Sequence, residues 1–560
     1  MINPSPALPI PVRRGRFASR LLSPVTWLLS AAAGLLLLSA CGPRETPVER
    51  GNREQILYRS INGDVATFDP HLAVNIAEID IASALFEGLV TEDPVDVHPV
   101  PGVAESWDIS TDGLTYTFHL RPNARWSDGS RVTAADFVAS WRRMLTPSLG
   151  ADNASLLYVL QGAEAFNKGV TTDFSTVGVA APDVHTLRVT LDHPTAWFLS
   201  LLAHPAWLPV NLEAIARYGS PYDRSTAWAR PDRLVGNGAF VLKSWQPNQL
   251  IALEQSDTYW DRASVRLHGI RILPIDSHDT EERMFRTGQL HVTYTIPFSK
   301  IETYRRDAPQ FLRADPYIDT YFLRLNVRTP ALGDVRVRRA LALAIDRTAI
   351  ADKILRGSQQ PATTFTPPGI PNYTPPAGLP GSAAADEARA LLAAAGFPAG
   401  KGLPSLELLY PTSDLLRPIA EALQEMWRRE LGLEVAIVNQ EKKVVQSERN
   451  AGQYQILLWD WVGDYLDPLT FLDVMRGDSG NNYTGWADAR YDSLLFAAAR
   501  NPDPAARAAQ LRDAESLLLA AAPIVPLYYN THIFLLQPSV HGWHPTLLDH
   551  HPYKYVWLGN

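Results

Sequence analysis

Cysteine is nearly missing from this chain: there is one, Cys41, in 560 residues. A single thiol excludes an internal disulfide framework and any metal site built from clustered cysteines. A basic excess is missing too. Lysine and arginine number 51 against 59 acidic residues, a formal charge of −8, so there is no electrostatic footprint for nucleic acid. Beyond residue 40 no uninterrupted apolar run reaches the roughly 18 residues that a membrane-spanning helix needs. Nor does the chain carry Gly-x-Ser-x-Gly, a P-loop, His-Glu-x-x-His, or Gly-x-Gly-x-x-Gly after a strand. No repeat recurs at a fixed period. These absences point away from an enzyme and from any resident cofactor or metal.

What remains is an ordinary globular composition, 46% hydrophobic and 20% charged, with 44 prolines, 15 tryptophans and 20 tyrosines. Many prolines mean many loops, and Trp and Tyr often line binding surfaces. The length suits three to four domain-sized units. The first 40 residues stand apart. Arg13, Arg14, Arg16 and Arg20 precede an apolar run from Leu21 to Leu38, and no acid occurs before Glu45. A basic start, an apolar middle and small residues at the end describe an export signal. Leu38-Ser39-Ala40-Cys41 resembles a bacterial lipobox, in which the cysteine thiol carries the lipid and the chain is cut before it. An uncut membrane anchor is the alternative. Removal of residues 1–40 leaves 47 basic against 59 acidic residues, a charge of −12. Residues 41–54, polar with Pro and Gly, read as a flexible tether. Gly42 rather than Asp follows the cysteine, which leaves out the common inner-membrane retention signal.

Strand patterns occur at 55–60, 114–120, 185–191, 238–243, 250–254 and 267–273. Helical spacing covers 76–89, 334–355, 382–396, 414–431 and 503–522. Thr133 with Asp136 makes a capping-box-like start for another helix. The Pro/Gly-rich segment 361–381 reads as irregular surface. Strands and helices mix without strict βαβ alternation, which predicts α/β lobes with mixed sheets.

Residues 101–137 carry Pro101, Ala104-Glu105-Ser106-Trp107, Asp112-Gly113-Leu114-Thr115, Phe118-His119-Leu120-Arg121, Trp126-Ser127-Asp128-Gly129 and Thr133-Ala134-Ala135-Asp136. With Asp69-Pro70-His71, Leu85-Phe86-Glu87-Gly88-Leu89 and Val525-Pro526-Leu527-Tyr528-Tyr529, this resembles the family 5 extracellular solute-binding proteins of ABC importers of peptides and nickel. The resemblance runs over about residues 56–540. Trp107, Trp126 and the Asp-Gly turns are read as core and turn residues that mark the fold.

The resemblance implies a two-lobed periplasmic binding protein of type II, cluster C-like, with mixed sheets and an inserted small domain. Expected boundaries are 55–88, 206–294 and 531–560 for lobe I, 89–205 for the small domain and 295–530 for lobe II. It implies a monomer that closes on an extended oligopeptide and delivers it to an ABC permease–ATPase, held at the cell envelope by a lipid on Cys41. Residues 458–468 match the segment that holds the peptide amino terminus in the family, with Asp464 at the position of its ammonium-binding aspartate. A carboxylate facing an ammonium suits that role, because either charge alone is costly to bury. A surface aspartate in a turn is the plainer reading. Trp459, Trp461 and Tyr465 are candidates for lining the cleft, and Trp461 matches a family tryptophan.

Three family positions that bind the peptide carboxylate are Lys, His and Arg. Here they are Arg328, Leu416 and Leu458, and Asp460 replaces a glycine. Two carboxylate partners are lost and one acid gained. That predicts a narrower range of peptide lengths, or a ligand whose C-terminal end is not a free carboxylate, with Asp460 favouring a basic ligand group. A murein peptide or a nickel chelate is the alternative cargo. Segment 477–480, Gly-Asp-Ser-Gly, resembles a serine-protease nucleophile segment, but Asn481 follows where glycine is needed, so a surface hydrolase is a weak rival. His541, His544, His550 and His551 are read as surface or packing residues rather than nickel ligands, and Asp467, Asp473 and Asp478 as solvated loop acids.

Overall fold

The computed structural model describes residues 45–413 and 415–559. The expected export signal and Cys41 lie outside the described residues. Among the described residues no helix is long and apolar enough to cross a membrane.

Part of the expected tether is corrected by the structure. Pro47–Glu54 is a helix with Val48 and Gly51 buried. The Val48 N–H donates to the Gly288 carbonyl at 3.0 Å. A Cβ on Gly51 would come within 2.6 Å of the His291 ring. Two small or apolar residues three apart form one helix face, enough to seat a short helix whose composition otherwise reads as linker.

The chain then enters β1 (Ile56–Ile61). A short ladder of β2 (Val90–Glu92) and β3 (Pro99–Pro101) leads into a small antiparallel sheet. That sheet holds β4 (Ala104–Ile109), β5 (Thr115–Leu120), β6 (Val179–Ala180) and β7 (Thr186–Thr190), in the order β4-β5-β7-β6. Helix Ala134–Leu145 packs on it and begins with the anticipated box: the Thr133 N–H donates to Asp136 Oδ2 at 2.7 Å. Trp126 is 1% exposed and closes its turn through a bond from the Gly129 N–H at 2.9 Å. These signature residues cap a helix, close a turn and fill the core beside the small sheet. Strands β8 (Phe240–Gln246), β9 (Leu250–Gln255) and β10 (Gly269–Pro274) return to complete the first lobe, in the order β1-β10-β9-β8.

The second lobe is built on β11 (Leu312–Leu325), β12 (Gln360–Pro361), β13 (Leu406–Pro411), β14 (Val435–Gln440), β15 (Ile456–Val462) and β16 (Ile524–Leu535). They form one mixed sheet, β12-β16-β11-β15-β13-β14. Its core joins Leu323, Leu458 and Tyr528 to Leu341, Leu416 and Trp427 from the covering helices. The helix expected over 334–355 is broken. Val335–Leu343 stops, and Asp346 caps a new turn by accepting the Ala349 N–H at 2.8 Å.

Strands β11 and β16 run through both lobes. Leu312–Pro316 pairs with Thr531–Leu535 and packs with Phe285 and Leu290. Thr320–Arg324 pairs with Ile524–Tyr529 inside the large sheet, and the register shifts between Pro316 and Thr320. The ribbon joining the lobes therefore carries an irregularity at its midpoint, where a paired strand bends most easily.

Candidate ligand-binding site

The segment after β15 is fastened at that bend. The Gly463 N–H donates to the Ile318 carbonyl at 2.8 Å, and the Ile318 N–H to the Leu547 carbonyl at 2.7 Å. Asp464 follows directly. Its backbone N–H is bound by Thr470 Oγ1 at 2.9 Å, and among the described residues no cation pairs with its carboxylate. The side chain stays open to solvent, yet protein crowds it on many sides. That desolvation alone pushes its pKa up to about 6. A wet carboxylate with no counter-ion at the junction of two lobes is prepared for a cation from outside.

A pH dependence follows. A cationic ligand needs Asp464 ionised, and binding pulls its pKa back down. Affinity is expected to fall as pH drops below about 6. A peptide ammonium itself titrates near about 8, which sets the upper limit. Calorimetry at pH 5.5 in buffers of different ionisation enthalpy should report proton release on binding. Asp464→Asn should abolish that release.

Tyr465 turns toward the small sheet and stacks on Trp197, with ring centroids 6.0 Å apart and planes at 8°. The Arg507 guanidinium lies 5.1 Å over Trp197 and grips Asp467 through two bonds of 2.8 Å. Asp467, expected as a solvated loop acid, is only 6% exposed. Its solvent is replaced by a bidentate arginine. Asp473 lies in a cavity of about 420 Å³ beside this stack, where burial raises its pKa to about 6 against the pull of Arg476. Asp478 remains exposed and pairs with Arg476.

The residues expected to line one cleft are divided by the period-2 geometry of β15. Trp459 and Trp461 share one face. Trp459 is 8% exposed among Leu409, Val445 and Tyr454, with the Arg449 guanidinium 4.8 Å over its ring. Trp461 donates its Nε1–H to the Thr470 carbonyl at 2.7 Å. Leu458 and Asp460 project from the opposite face. Leu458 (0% exposed) and Leu416 (6%) are core side chains of the second lobe. Arg328, expected at the carboxylate end of the ligand, is far from Asp464 along the sheet. It lies beyond Leu325, six register steps along β11 from the Asp319–Val462 pair. At about 3.3 Å per residue that is roughly 20 Å from the Asp464 end of the sheet. Its guanidinium instead packs against Gly485. Alignment alone gave no sign of this, because strand length separates residues that a motif lists together.

Sequence reasoning also missed Asp319, which is 2% exposed and lies diagonal to Asp460 across β11 and β15. The signal was present as an acid inside an aromatic strand, but that strand was not anticipated. The C-terminal histidines pack and pair. His551 stacks on Trp543 at 4.2 Å and meets Asp549 at 3.0 Å, while His541 stacks on Trp557 at 3.9 Å. His550 meets Glu92 at 2.9 Å; burial opposes its charge, but Glu92 and Asp80 outweigh burial and raise its pKa to about 9. Ser479 is a turn residue whose Oγ accepts the Asn481 N–H at 3.3 Å.

Residues 98–483 match the family described as bacterial extracellular solute-binding proteins, family 5 middle. The chain is 36% identical over 527 residues to the periplasmic oligopeptide-binding protein OppA of Escherichia coli (strain K12), covering 92% of this chain and 94% of that one. Among solved structures it is similar to the periplasmic murein tripeptide-binding protein MppA in its unliganded open form, with a TM-score of 0.78 and 33% identity over 92% of this chain and 99% of that one. Haemophilus influenzae OppA in complex with RPPGFSPFR gives a TM-score of 0.75 at 30% identity, over 90% of this chain and 99% of that one.

Proposed function

This chain belongs to the bacterial extracellular solute-binding proteins of family 5, and from that membership we propose that it captures extended oligopeptides between its lobes and passes them to an ABC permease–ATPase. The observation that carries this reading is Asp464, a carboxylate that no cation among the described residues pairs with, at the bend of the ribbon that joins the lobes. A peptide ammonium supplies the missing charge. Main-chain pairing with strand edges holds the rest of an extended ligand without reading its side chains.

Lobe boundaries at 55–88, 206–294 and 531–560 against 295–530, with 89–205 as an inserted unit, are supported by the separate sheets β1-β10-β9-β8 and β4-β5-β7-β6, while β11 and β16 cross them. Members of the family are binding proteins, and the turn setting of Ser479 favours binding without catalysis here too. The lipobox-like residues before Cys41 support a lipid-anchored, periplasm-facing monomer at the cell envelope.

Leu416 and Leu458 are apolar and Arg328 lies far along the sheet, so the ligand is anchored chiefly at its amino end. N-acetylation of a bound peptide is then expected to weaken affinity by roughly 2 kcal/mol or more, about 30-fold. C-terminal amidation should change it by less than about threefold. Competition calorimetry with the three forms of one peptide checks this, and a reversed order sinks it. A modified peptide such as a murein peptide is the second reading, favoured by the loss of both carboxylate partners. Native mass spectrometry of the purified chain, with release and sequencing of its co-purified ligand, tests both. Nickel or a bile acid in place of a peptide would overturn them.

A further inference from the structure

The face of the large sheet that carries Leu458 ends in a set of polar groups that the fold leaves unsatisfied. Tyr321 pairs with Asp460 on one side and with Tyr528 on the other, and Asp319 pairs with Val462. Alternation along each strand puts Asp319, Tyr321, Asp460 and Tyr528 on one face. Asp319 is 2% exposed; its Oδ2 accepts a bond from Asn530 Nδ2 at 2.8 Å, and its Oδ1 has no partner. The Tyr528 hydroxyl, fully buried, likewise has no hydrogen-bond partner among the described residues. Its ring stacks on Tyr321 at 4.7 Å, and its hydroxyl feels the charge of both Asp319 and Asp460. Among the described residues neither carboxylate makes an ion pair. Lys442 acts on both, and Arg324 and Arg449 on Asp460, only at longer range.

Such an arrangement is expensive for a purely structural feature. A buried carboxylate oxygen and a buried hydroxyl without partners each forfeit hydration with nothing in return. Burial and then repulsion from Asp460 push the Asp319 carboxyl well up, and burial pushes Asp460 up against the partial relief of Lys442. One positive charge placed between them would satisfy both acids. Asp460 is half-buried and the more accessible of the two, while Asp319 is 2% exposed.

We propose that Asp319 and Asp460 form a receptor for a positively charged side chain of the ligand, an ammonium or guanidinium carried near its amino-terminal end. The inference rests on the peptide reading above and deepens it from capture to specificity. Asp460 precedes Asp464 by four residues, at most about 13 Å along an extended chain. With the ligand ammonium at Asp464, the charge therefore belongs to one of the first four ligand residues.

The test is calorimetry on the purified full chain with short alanine peptides carrying one lysine at each of those positions. Each is compared with its Nε-acetyllysine counterpart, which keeps the length and removes the charge. At one position the lysine form is expected to bind at least about tenfold tighter, and Asp319→Asn and Asp460→Asn are each expected to cut that preference below about threefold. The wild-type comparison needs no variant, and Asp460 is half-buried, so its change to the amide is expected to leave folding intact, as thermal unfolding of the variant checks. Equal affinity within every pair, or a preference that survives both substitutions, overturns the acid pair while leaving peptide capture intact. Failure of every peptide to bind, charged or acetylated, overturns the peptide reading and this inference with it.

Discussion

Replacing Asp464 with alanine is expected to weaken peptide binding by roughly 2–5 kcal/mol, a loss of about 30-fold to several thousand-fold in Kd. The size follows from closure. Without ligand the carboxylate is exposed, and the protein crowding it has already raised its pKa to about 6. Once the lobes close, an ammonium facing alanine would be desolvated without a partner. The same substitution should not lower the melting temperature. A carboxyl whose pKa is raised in the fold disfavours folding when ionised, an effect that grows from the unfolded value near about 4 up to about 6 and is then constant. At pH 7.5 the variant is therefore expected to be as stable as the parent or slightly more so, as at many binding sites. Titration calorimetry with scanning calorimetry on the same samples separates the two effects. Unchanged affinity would remove Asp464 from the site.

The largest stability effect is expected away from the cleft, at Asp69-Pro70-His71. Arg143, on the helix of the small sheet, binds both Asp69 oxygens at 2.6 and 3.1 Å with side chains 0% and 3% exposed. Its Nη1–H also reaches His71 Nδ1 at 2.8 Å, His71 Nε2–H donates to the Leu208 carbonyl at 3.0 Å, and Trp228 Nε1–H reaches Asp69 at 3.3 Å. Arg143→Met alone leaves a buried carboxylate unpaired, at an expected cost of about 3–5 kcal/mol. That is a large share of a marginal stability of about 5–15 kcal/mol. The double change Asp69→Leu with Arg143→Met is expected to recover part of the loss, because it removes the unpaired charge but leaves the His71 N–H, the Trp228 Nε1–H and His71 Nδ1 without their partners. Urea unfolding of the three proteins measures this, and a double variant no better than the single would refute it.

Acid should loosen the same cluster. Burial opposes the Asp69 charge, but Arg143 outweighs it and holds the carboxyl below its usual range, so this contribution is full above about pH 4 and lost as pH falls further. Burial, reinforced by Arg143, holds His71 neutral with its pKa lowered to about 4. Between about 6.5 and 4 the unfolded chain takes up a proton that the fold refuses, so stability declines across that window as pH falls.

The first lobe and the small sheet were legible in the sequence because their strands have one wet face. β5 alternates half-buried and buried residues along Thr115–Leu120, and its pattern shows it. The second lobe was legible only in its helices. Its strands are covered on both faces or cross between lobes, so β15 reads as an apolar run, and β11 carries Pro316, Asp315 and Arg324 within a continuous ladder. The missed strands hid Asp319. The helix Pro47–Glu54 was hidden for the opposite reason, since only Val48 and Gly51 are buried in an otherwise polar segment.

The single cysteine by itself excludes an internal disulfide. The signature over residues 101–137 was enough to assign the family, because short-range turns, caps and core aromatics recur at fixed spacing. The sequence also singled out Asp464, whose neighbours within ten residues supply most of its setting. Tertiary structure alone decided which residues share a face, how far Arg328 lies from the others, and that Asp319 and Asp460 lie diagonal across two strands with no ion pair among the described residues. The reason is geometric: strand alternation and cross-strand register are properties of pairs distant in the chain, and no local pattern encodes which strand lies alongside.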